Sequence, residues 1–307
     1  MDEQVPPGRA PLAYQNERFL NSPEARTLRF VAEYLEPQSR LRRENIQDTI
    51  VFFGSARIAS AAAAQAALSE SEKLAEFDRQ NRRAAEREGQ PADQAVEQAR
   101  QRAAERALSL ARFYEDAREL ARLLTVWSDS LPSRRRRFVV TSGGGPGIME
   151  AANRGADEAG GKTIGFNIRL PFEQAPNPYI TAGLNFEFHY FFMRKFWFAY
   201  PAKALVAFPG GFGTLDELME MLTLVQTQKL NKKIVIILYG RGYWEQIINF
   251  QALADWGTIS PADLELFQFA DTPLEAFQLL TAELDRLYLR PAANGEDEAP
   301  AIAKTRG

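Results

Sequence analysis

The 307-residue sequence contains no cysteine and only one histidine, His189. The absence of cysteine excludes disulfides, thiolate nucleophiles, zinc–thiolate sites and iron–sulfur clusters. A histidine metal cluster or a serine–histidine–aspartate triad would depend on His189 alone. That residue lies among the aromatic residues of 186–192, where a packed or hydrogen-bonded histidine is the expectation. We therefore expect no metal site and look for function in other residue types.

The sequence also lacks a large net charge and a long apolar run. Its 37 basic and 40 acidic residues give a formal net charge of −3, which does not favour a nucleic-acid partner. The basic run at 134–137 is interpreted as the solvated entrance to a strand, with a nucleic-acid contact as the alternative. No apolar run approaches the roughly 20 residues of a membrane span, and residues 1–9 do not resemble a signal peptide. We expect a cytoplasmic protein with no membrane partner.

Short apolar strands alternate with helices along most of the chain. Strands are predicted at 49–53, 138–141, 163–168, 204–208, 234–238 and 267–270, and helices at 26–45, 146–159, 186–200, 214–229, 244–253 and 273–287. Near-continuous apolar strands separated by helices predict an α/β protein with a Rossmann-like, doubly wound parallel sheet. We predict a single domain at 26–289, a flexible arm at 1–25 and a disordered tail at 290–307.

A helical insertion is predicted after the first strand, at about 59–108. Residues 59–126 are dominated by Ala, Gln, Glu and Arg, which favour long helices, and the break at Gly89 and Pro91 predicts a hairpin. The first arm has few large apolar residues and is either exposed or a partner surface. The second arm becomes apolar from Leu108 onward, so we expect it to pack on the sheet.

Two glycine-rich segments each follow a strand and open a helix. The first is Ser-Gly-Gly-Gly-Pro-Gly at 142–147, and the second is Pro-Gly-Gly-Phe-Gly-Thr at 209–214. In a doubly wound sheet both segments lie at the carboxyl edge, where ligands bind. Glycine allows close approach of the backbone, and a helix start supplies unpaired N–H donors, so a phosphate suits both. The alternative is that each segment is only a tight connection.

The standard nucleotide fingerprints do not fit these segments. The glycines Gly143, Gly145 and Gly147 alternate, whereas a dinucleotide fingerprint needs G-x-G-x-x-G. The following strand, 163–168, offers no acidic residue for a ribose diol. We therefore expect no nicotinamide cofactor.

A carboxylate and an arginine lie close to the second segment in sequence. Thr214 and Glu217 have the spacing of a capping box, and from the spacing alone we favour a role for Glu217 in capping the helix. The alternative places Glu217 beside a bound sugar, where it would stabilise an oxocarbenium-like transition state or activate water. Arg194, in the basic pair with Lys195, either extends from an apolar face to solvent or clamps a phosphate or ribose with its planar fork.

These motifs resemble those of the LOG family, the cytokinin riboside 5′-monophosphate phosphoribohydrolases. The second segment with Glu217 is similar to the family's PGGxGTxxE, the first segment with Met149 to its GGGxxGxM, and Arg194 with Lys195 to its RK pair. The resemblance covers roughly 47–287, apart from the helical insertion. It implies a Rossmann-like fold, a dimeric or larger assembly, and release of a free base and ribose 5-phosphate without a cofactor.

The resemblance also implies roles for individual residues. Arg194 and Glu217 are the implied catalytic pair. The phosphate is held by Gly211, Gly213 and Thr214 together with Gly143, Gly144 and Gly145. Further matching positions implied to lie at the substrate are Gly54, Ser55, Gly147, Met149, Lys195, Gly210, Phe212 and Thr223.

The resemblance defines the reaction better than it defines the base of the substrate. Plant-type members carry Asp-Met-His before the arginine region, whereas this chain has Tyr-Phe-Phe-Met at 190–193. AMP is therefore as good a candidate substrate as a cytokinin riboside monophosphate. Some members have been labelled lysine decarboxylases, but no pyridoxal phosphate motif is present. The alternative function is a non-catalytic carrier or sensor of a phosphorylated ligand such as molybdenum cofactor.

Overall fold

A computed structural model describes residues 10–85, 94–171, 175–230 and 232–290. The Gly89 and Pro91 break, on which the predicted hairpin turn depends, lies outside the described residues. So do 1–9 of the predicted arm and 291–307 of the predicted tail. Residues 10–25 contain short helical turns, and Arg29 donates hydrogen bonds to the carbonyls of Leu20 and Ser22.

The strands of the described residues form one parallel sheet. They are β1 (Thr49–Phe53), β2 (Val139–Ser142), β3 (Thr163–Ile168), β4 (Asn185–Phe188), β5 (Ala202–Ala207), β6 (Val235–Tyr239) and β7 (Gln268–Ala270). Their order across the sheet is β4-β3-β2-β1-β5-β6-β7, so the chain winds outward to β4 and then returns to place β5 beside β1. This reversal creates a crevice at the carboxyl ends of β1 and β5. The predicted doubly wound parallel sheet is confirmed.

Helices cover both faces of this sheet. In the described part of the chain they are α1 (Glu17–Leu20), α2 (Arg26–Arg43), α3 (Ala61–Ala85), α4 (Gln94–Asp129), α5 (Ile148–Glu158), α6 (Phe191–Ala199), α7 (Phe212–Gln226), α8 (Arg241–Ile247), α9 (Phe250–Asp255) and α10 (Pro273–Leu284). One core includes the fully buried Trp197 and Trp244. The other core lies on the opposite face and includes Phe113, Leu120 and Leu280. Burial of these large side chains on both faces holds the three layers together.

The predicted aromatic helix at 186–200 is wrong in its first part. Residues 185–188 form strand β4, in which Phe186 and Phe188 are buried while Glu187 is exposed. This period-two alternation is typical of a strand, and the segment pairs with β3 in the parallel sheet. His189 is exposed in the turn that follows, with its ring edge-to-face against Tyr190 at a centroid distance of 4.5 Å. Helix α6 therefore begins at Phe191.

The two arms of the predicted insertion are helices α3 and α4. As predicted, the second arm packs on the sheet, where Phe113, Tyr114 and Leu124 are buried. Leu110, also expected to pack, is 36% exposed. Although α4 has 36 residues, neither it nor any other described helix is apolar enough to cross a membrane.

The basic run lies at the amino edge of the sheet, before β2. Residues 134–136 are exposed, and Arg137 Nε pairs with the fully buried Asp48 at 2.7 Å. This arrangement agrees with the predicted solvated strand entrance.

The close packing of α4 on α5 predicts a steric effect at Gly155. A Cβ built on Gly155 would lie 1.9 Å from the Arg118 carbonyl oxygen. We expect Gly155→Ala to lower the free energy of unfolding by about 1–3 kcal/mol, because the two helices must separate. Urea denaturation measures this change.

Gly242→Ala in α8 is the matched control, since a Cβ there would meet nothing within 4 Å. Alanine favours helix over glycine, so this variant should be as stable as the parent or more stable. Equal stabilities of the two variants would contradict the close packing of α4 on α5.

Candidate functional site

The turn after β1 connects the two glycine loops. The Ser55 N–H donates to the Pro209 carbonyl in the second loop at 3.0 Å. The Ile148 N–H, directly after the first loop, donates to the Ser55 carbonyl at 3.1 Å. Gly54 is packed against Ile148, whose Cγ2 would lie 2.6 Å from a Cβ at that position. Gly54 and Ser55 thus hold the two loops side by side.

The glycines of the first loop are buried, and two of them have left-handed backbones. Gly144 and Gly147 have φ angles of 75° and 71°, which side chains with a Cβ rarely adopt. A Cβ on Gly147 would also lie 2.3 Å from the Ser55 carbonyl oxygen. Helix α5 begins only at Ile148. The prediction that Pro146 occupies the first helical turn is therefore wrong, because the positive φ of Gly147 delays the helix.

The second loop runs directly into α7. Gly211 is the N-cap residue and Phe212 the first helical residue, so the first amides of α7 have no intrahelical partner and suit an anion. A Cβ on Gly211 or Gly213 would meet nothing within 4 Å. Phe212 is 93% exposed, whereas a Cβ on Gly210 would lie 2.1 Å from Thr214 Oγ1. The backbone of the loop is thus tightly packed at Gly210 and accessible at the start of α7.

The capping box predicted for Thr214 and Glu217 is not formed. Because α7 begins at Phe212, Thr214 is its third residue and Glu217 its sixth, and N-cap Gly211 accepts no side-chain hydrogen bond. The Glu217 carboxylate instead accepts a hydrogen bond from Arg194 Nη1 at 2.8 Å. The spacing misled because it placed the N-cap at Thr214, three residues after the observed N-cap, Gly211.

Arg194 and Glu217 form a buried ion pair that touches both loops. Their side chains are 10% and 13% exposed. Arg194 Nε also donates to the Phe166 carbonyl at 2.6 Å, and the guanidinium lies 4.9 Å from the centroid of the Phe198 ring. Its Nη2 lies against the first loop, 2.5 Å from where a Cβ on Gly143 would be. The pair thus links the first loop to the helix that follows the second.

The position of Glu217 changes its acidity. Burial raises the pKa of Glu217 to about 7, and the neighbouring Arg194 charge opposes this rise. A carboxyl group with a pKa near neutral exchanges its proton readily under ordinary conditions. Glu217 therefore has the acidity expected of a group that takes part in proton transfer.

Lys195 pairs with two carboxylates of α7 other than Glu217. Its Nζ lies 2.7 Å from Asp216 Oδ2 and 3.0 Å from Glu220 Oε2, both on α7. Burial acts to lower the pKa of Lys195, but the hydrogen bonds to these two carboxylates outweigh burial, so the net pKa is raised. Lys195 thus reinforces the packing of α6 on α7.

Met149 and Thr223 lie at different distances from the loops. Met149 Sδ lies 2.6 Å from where a Cβ on Gly143 would be, beside the Arg194 guanidinium. Thr223 is exposed, and its hydroxyl donates to the Met219 carbonyl at 2.8 Å. It follows Thr214 by nine helical residues, which is about 13 Å along the helix axis. Within this chain, Met149 adjoins the ion pair and Thr223 does not.

Sequence reasoning missed the polar side chains that hold the loop carbonyls. Asn177 and Asn153 form a buried network with the first loop, and the Tyr243 hydroxyl donates to the second loop. The only signal in the sequence is the Asn-Pro dipeptide at Asn177, which indicates a turn. Their contacts with the loops depend on tertiary packing and are not encoded in local spacing.

Comparisons with known proteins show which proteins this chain resembles. The sequence model of a family described as "Possible lysine decarboxylase" matches residues 149–280. The cytokinin riboside 5′-monophosphate phosphoribohydrolase LOG5 of Arabidopsis thaliana is 30% identical over 151 residues, which is 48% of this chain and 64% of that protein. LOG7 of the same plant is 32% identical over 130 residues, covering 41% and 58%. The chain thus matches somewhat under two thirds of the length of these relatives.

Solved structures show more distant likenesses. The molybdenum cofactor binding protein of Rippkaea orientalis is 18% identical with a TM-score of 0.40, covering 56% of this chain and 88% of that one. The molybdenum cofactor carrier protein of Chlamydomonas reinhardtii is 22% identical with the same TM-score of 0.40, covering 56% and 88%. These likenesses are too distant to bear on function.

The fold and site define a Rossmann-like α/β protein with two glycine loops joined by a buried arginine–glutamate pair. The matching segment contains the second loop, Arg194 and Glu217. Over this segment the chain is similar to the LOG family, the resemblance that the sequence motifs predict.

The raised pKa of Glu217 predicts a pH-dependent stability. The folded pKa of about 7 exceeds the ordinary value of 4.5, so the folded state binds this proton more tightly than the unfolded state. The resulting stabilisation is fully present below about pH 4.5 and is lost as pH rises through about 7. We expect the free energy of unfolding of Glu217→Gln, relative to the parent, to increase between about pH 5 and about pH 8.

Urea denaturation at the two pH values measures this difference. Any difference in stability between the two proteins that does not depend on pH cancels when the two pH values are compared. Parallel pH curves for the two proteins would show that Glu217 keeps an ordinary pKa.

Proposed function

We propose that this protein hydrolyses the N-glycosidic bond of a nucleoside 5′-monophosphate and releases a free base and ribose 5-phosphate. The observation that carries the proposal is the buried Arg194–Glu217 pair, which lies between two phosphate-type loops. The LOG relatives, named as phosphoribohydrolases of cytokinin riboside 5′-monophosphates, support the same reaction. AMP and cytokinin riboside monophosphates are the candidate substrates.

The phosphate binds where the two loops meet. The open backbone at Gly211 and Gly213 and the first amides of α7 offer N–H donors to its oxygens. A helix N-terminus also favours negative charge there. With the phosphate on this side, Arg194 and Glu217 face the ribose.

Glu217 acts at the anomeric carbon. As the C1′–N bond breaks, its electron pair leaves with the base and positive charge develops on the ribose ring, which the Glu217 carboxylate stabilises. Water forms the new bond to C1′ and gives a proton to Glu217, which passes it to the departing base. Arg194 holds the carboxylate in place and offers its remaining N–H groups to the substrate.

The site does not fit lysine decarboxylation through pyridoxal phosphate. That chemistry needs a lysine that loses its proton readily to form a Schiff base. Lys195, the lysine beside the ion pair, contacts Asp216 and Glu220, and they raise its pKa. The surroundings of Lys195 thus favour the charged ammonium.

We infer that the active protein is a dimer or a larger homo-oligomer. Phe191 and Phe192 at the start of α6 are 55% and 53% exposed, and Phe212 at the start of α7 is 93% exposed. Large aromatic side chains exposed together favour a protein interface. The solution mass from light scattering tests this inference, and a monomeric mass would overturn it.

The role of Glu217 predicts a selective loss of turnover. We expect the parent protein to release adenine from AMP, and Glu217→Gln to lower kcat by about 100-fold or more. The dissociation constant for AMP should change by less than about threefold, since glutamine keeps the shape of the side chain. Chromatography of released base and calorimetric titration measure the two quantities.

Glu283→Gln provides the matched control, because Glu283 pairs with Arg286 on the surface of α10. This variant should keep the parental kcat. The substrate panel includes AMP, GMP, CMP and isopentenyladenosine monophosphate. The proposal fails if none of them yields free base, and tight AMP binding without turnover would identify a carrier instead.

A further inference from the structure

A glycine loop binds phosphate only if its peptide groups present N–H rather than C=O to the ligand. Glycine lowers the barrier to other backbone conformations, so the glycines alone do not fix this orientation. Carbonyl oxygens turned toward a phosphate would repel it. The residues that hold the loop carbonyls therefore decide whether the loops are anion sites.

In the first loop, Asn177 holds the carbonyls. Its side-chain Nδ2 lies 3.1 Å from the carbonyl oxygens of both Gly144 and Gly145. Its backbone N–H also donates to the Gly144 carbonyl at 2.8 Å. Asn177 is only 7% exposed, so these bonds do not compete with bulk water. Two consecutive carbonyls are thus turned toward Asn177.

A buried chain of hydrogen bonds fixes the orientation of the Asn177 amide. Asn153 Oδ1 accepts from Asn177 Nδ2 at 2.9 Å and from the Ser142 hydroxyl at 2.6 Å. Asn153 Nδ2 donates to the Ile164 backbone carbonyl, which can only accept, at 3.2 Å. Since Asn153 presents its oxygen to Asn177, the amide of Asn177 must present its nitrogen. This hydrogen-bond network also contacts the first loop at Ser142, whose Oγ accepts from the Gly144 N–H at 3.1 Å.

In the second loop, the side chain of Tyr243 binds a backbone carbonyl, as Asn177 does in the first loop. Its hydroxyl donates to the Gly210 carbonyl at 2.6 Å. The preceding carbonyl, of Pro209, accepts the Ser55 N–H. The Tyr243 ring is held edge-to-face against the buried Trp244, with ring centroids 5.2 Å apart. The carbonyls that precede α7 are therefore bound before a ligand arrives.

We propose that Asn177 and Tyr243 are positioning residues for phosphate binding, one for each loop. By binding the carbonyl oxygens, they keep the N–H groups of the same peptides, those of Gly145 and Gly211, facing the phosphate. The inference rests on the phosphate site of the proposed function and deepens it, since it assigns both residues to the loop backbone and not to the ribose or the base. It concerns binding and does not require turnover.

Tyr243→Phe tests the inference with the smallest change, because it removes only the hydroxyl. We expect the dissociation constant for ribose 5-phosphate, measured by calorimetry, to rise about fivefold, the worth of one net hydrogen bond. Tyr288→Phe is the matched control: the Tyr288 hydroxyl also donates to a backbone carbonyl, that of Lys233, at the amino end of β6. This control should bind as the parent does.

Asn177→Asp tests the first loop. A carboxylate of the same shape cannot donate to the carbonyls of Gly144 and Gly145, so binding of ribose 5-phosphate should weaken by about tenfold or more. Where AMP is hydrolysed, both variants should raise KM for AMP more than they lower kcat, whereas general structural damage would lower both kcat and the melting temperature.

Parental affinity for ribose 5-phosphate in Tyr243→Phe would overturn the proposal, as would a parent protein that does not bind ribose 5-phosphate. These results are separate from the fate of the proposed function. Selective loss of binding in the variants without AMP hydrolysis by the parent would support the positioning role and reject the hydrolase. Hydrolysis of AMP by the parent, together with unchanged binding of ribose 5-phosphate in Tyr243→Phe, would support the hydrolase and reject the positioning role.

Discussion

The site depends on one buried ion pair, between Arg194 on α6 and Glu217 on α7. Two charges removed from water are costly unless they bind each other and nearby dipoles. Arg194 meets this requirement through Glu217 and the Phe166 carbonyl. Its guanidinium reaches Gly143 only because that residue lacks a Cβ. The pair thus fixes the distance between the two loops and keeps a carboxylate of raised pKa beside them.

The sheet topology makes this contact possible. The chain reverses direction beside β1, so the loops after β2 and β5 lie on either side of the turn at Ser55. Hydrogen bonds from this turn to both loops leave little freedom at the carboxyl edge. Two polar side chains, Asn177 and Tyr243, donate hydrogen bonds to backbone carbonyls of the loops. The amides then remain for an anion.

The sequence predicts the fold and the main site residues, because both depend on local patterns. Apolar strands of four to six residues between helices indicate the sheet, and the glycine segments indicate its carboxyl edge. Spacing failed at Glu217, where the helix starts three residues earlier than a cap at Thr214 would require. It also failed at β4, whose aromatic residues resemble the helix that follows. The partners of Asn177 are 33 and 32 residues away in the chain, and no local pattern encodes such contacts.

We propose that the ion pair and the two loops form one nucleotide site. A crystal structure of the E217Q variant with AMP tests it most directly, since bound substrate should survive in that variant. We expect the phosphate between the first loop and the start of α7, and the ribose C1′ within about 3.5 Å of the side chain at position 217. A phosphate bound elsewhere, or a ribose turned away from position 217, would contradict it.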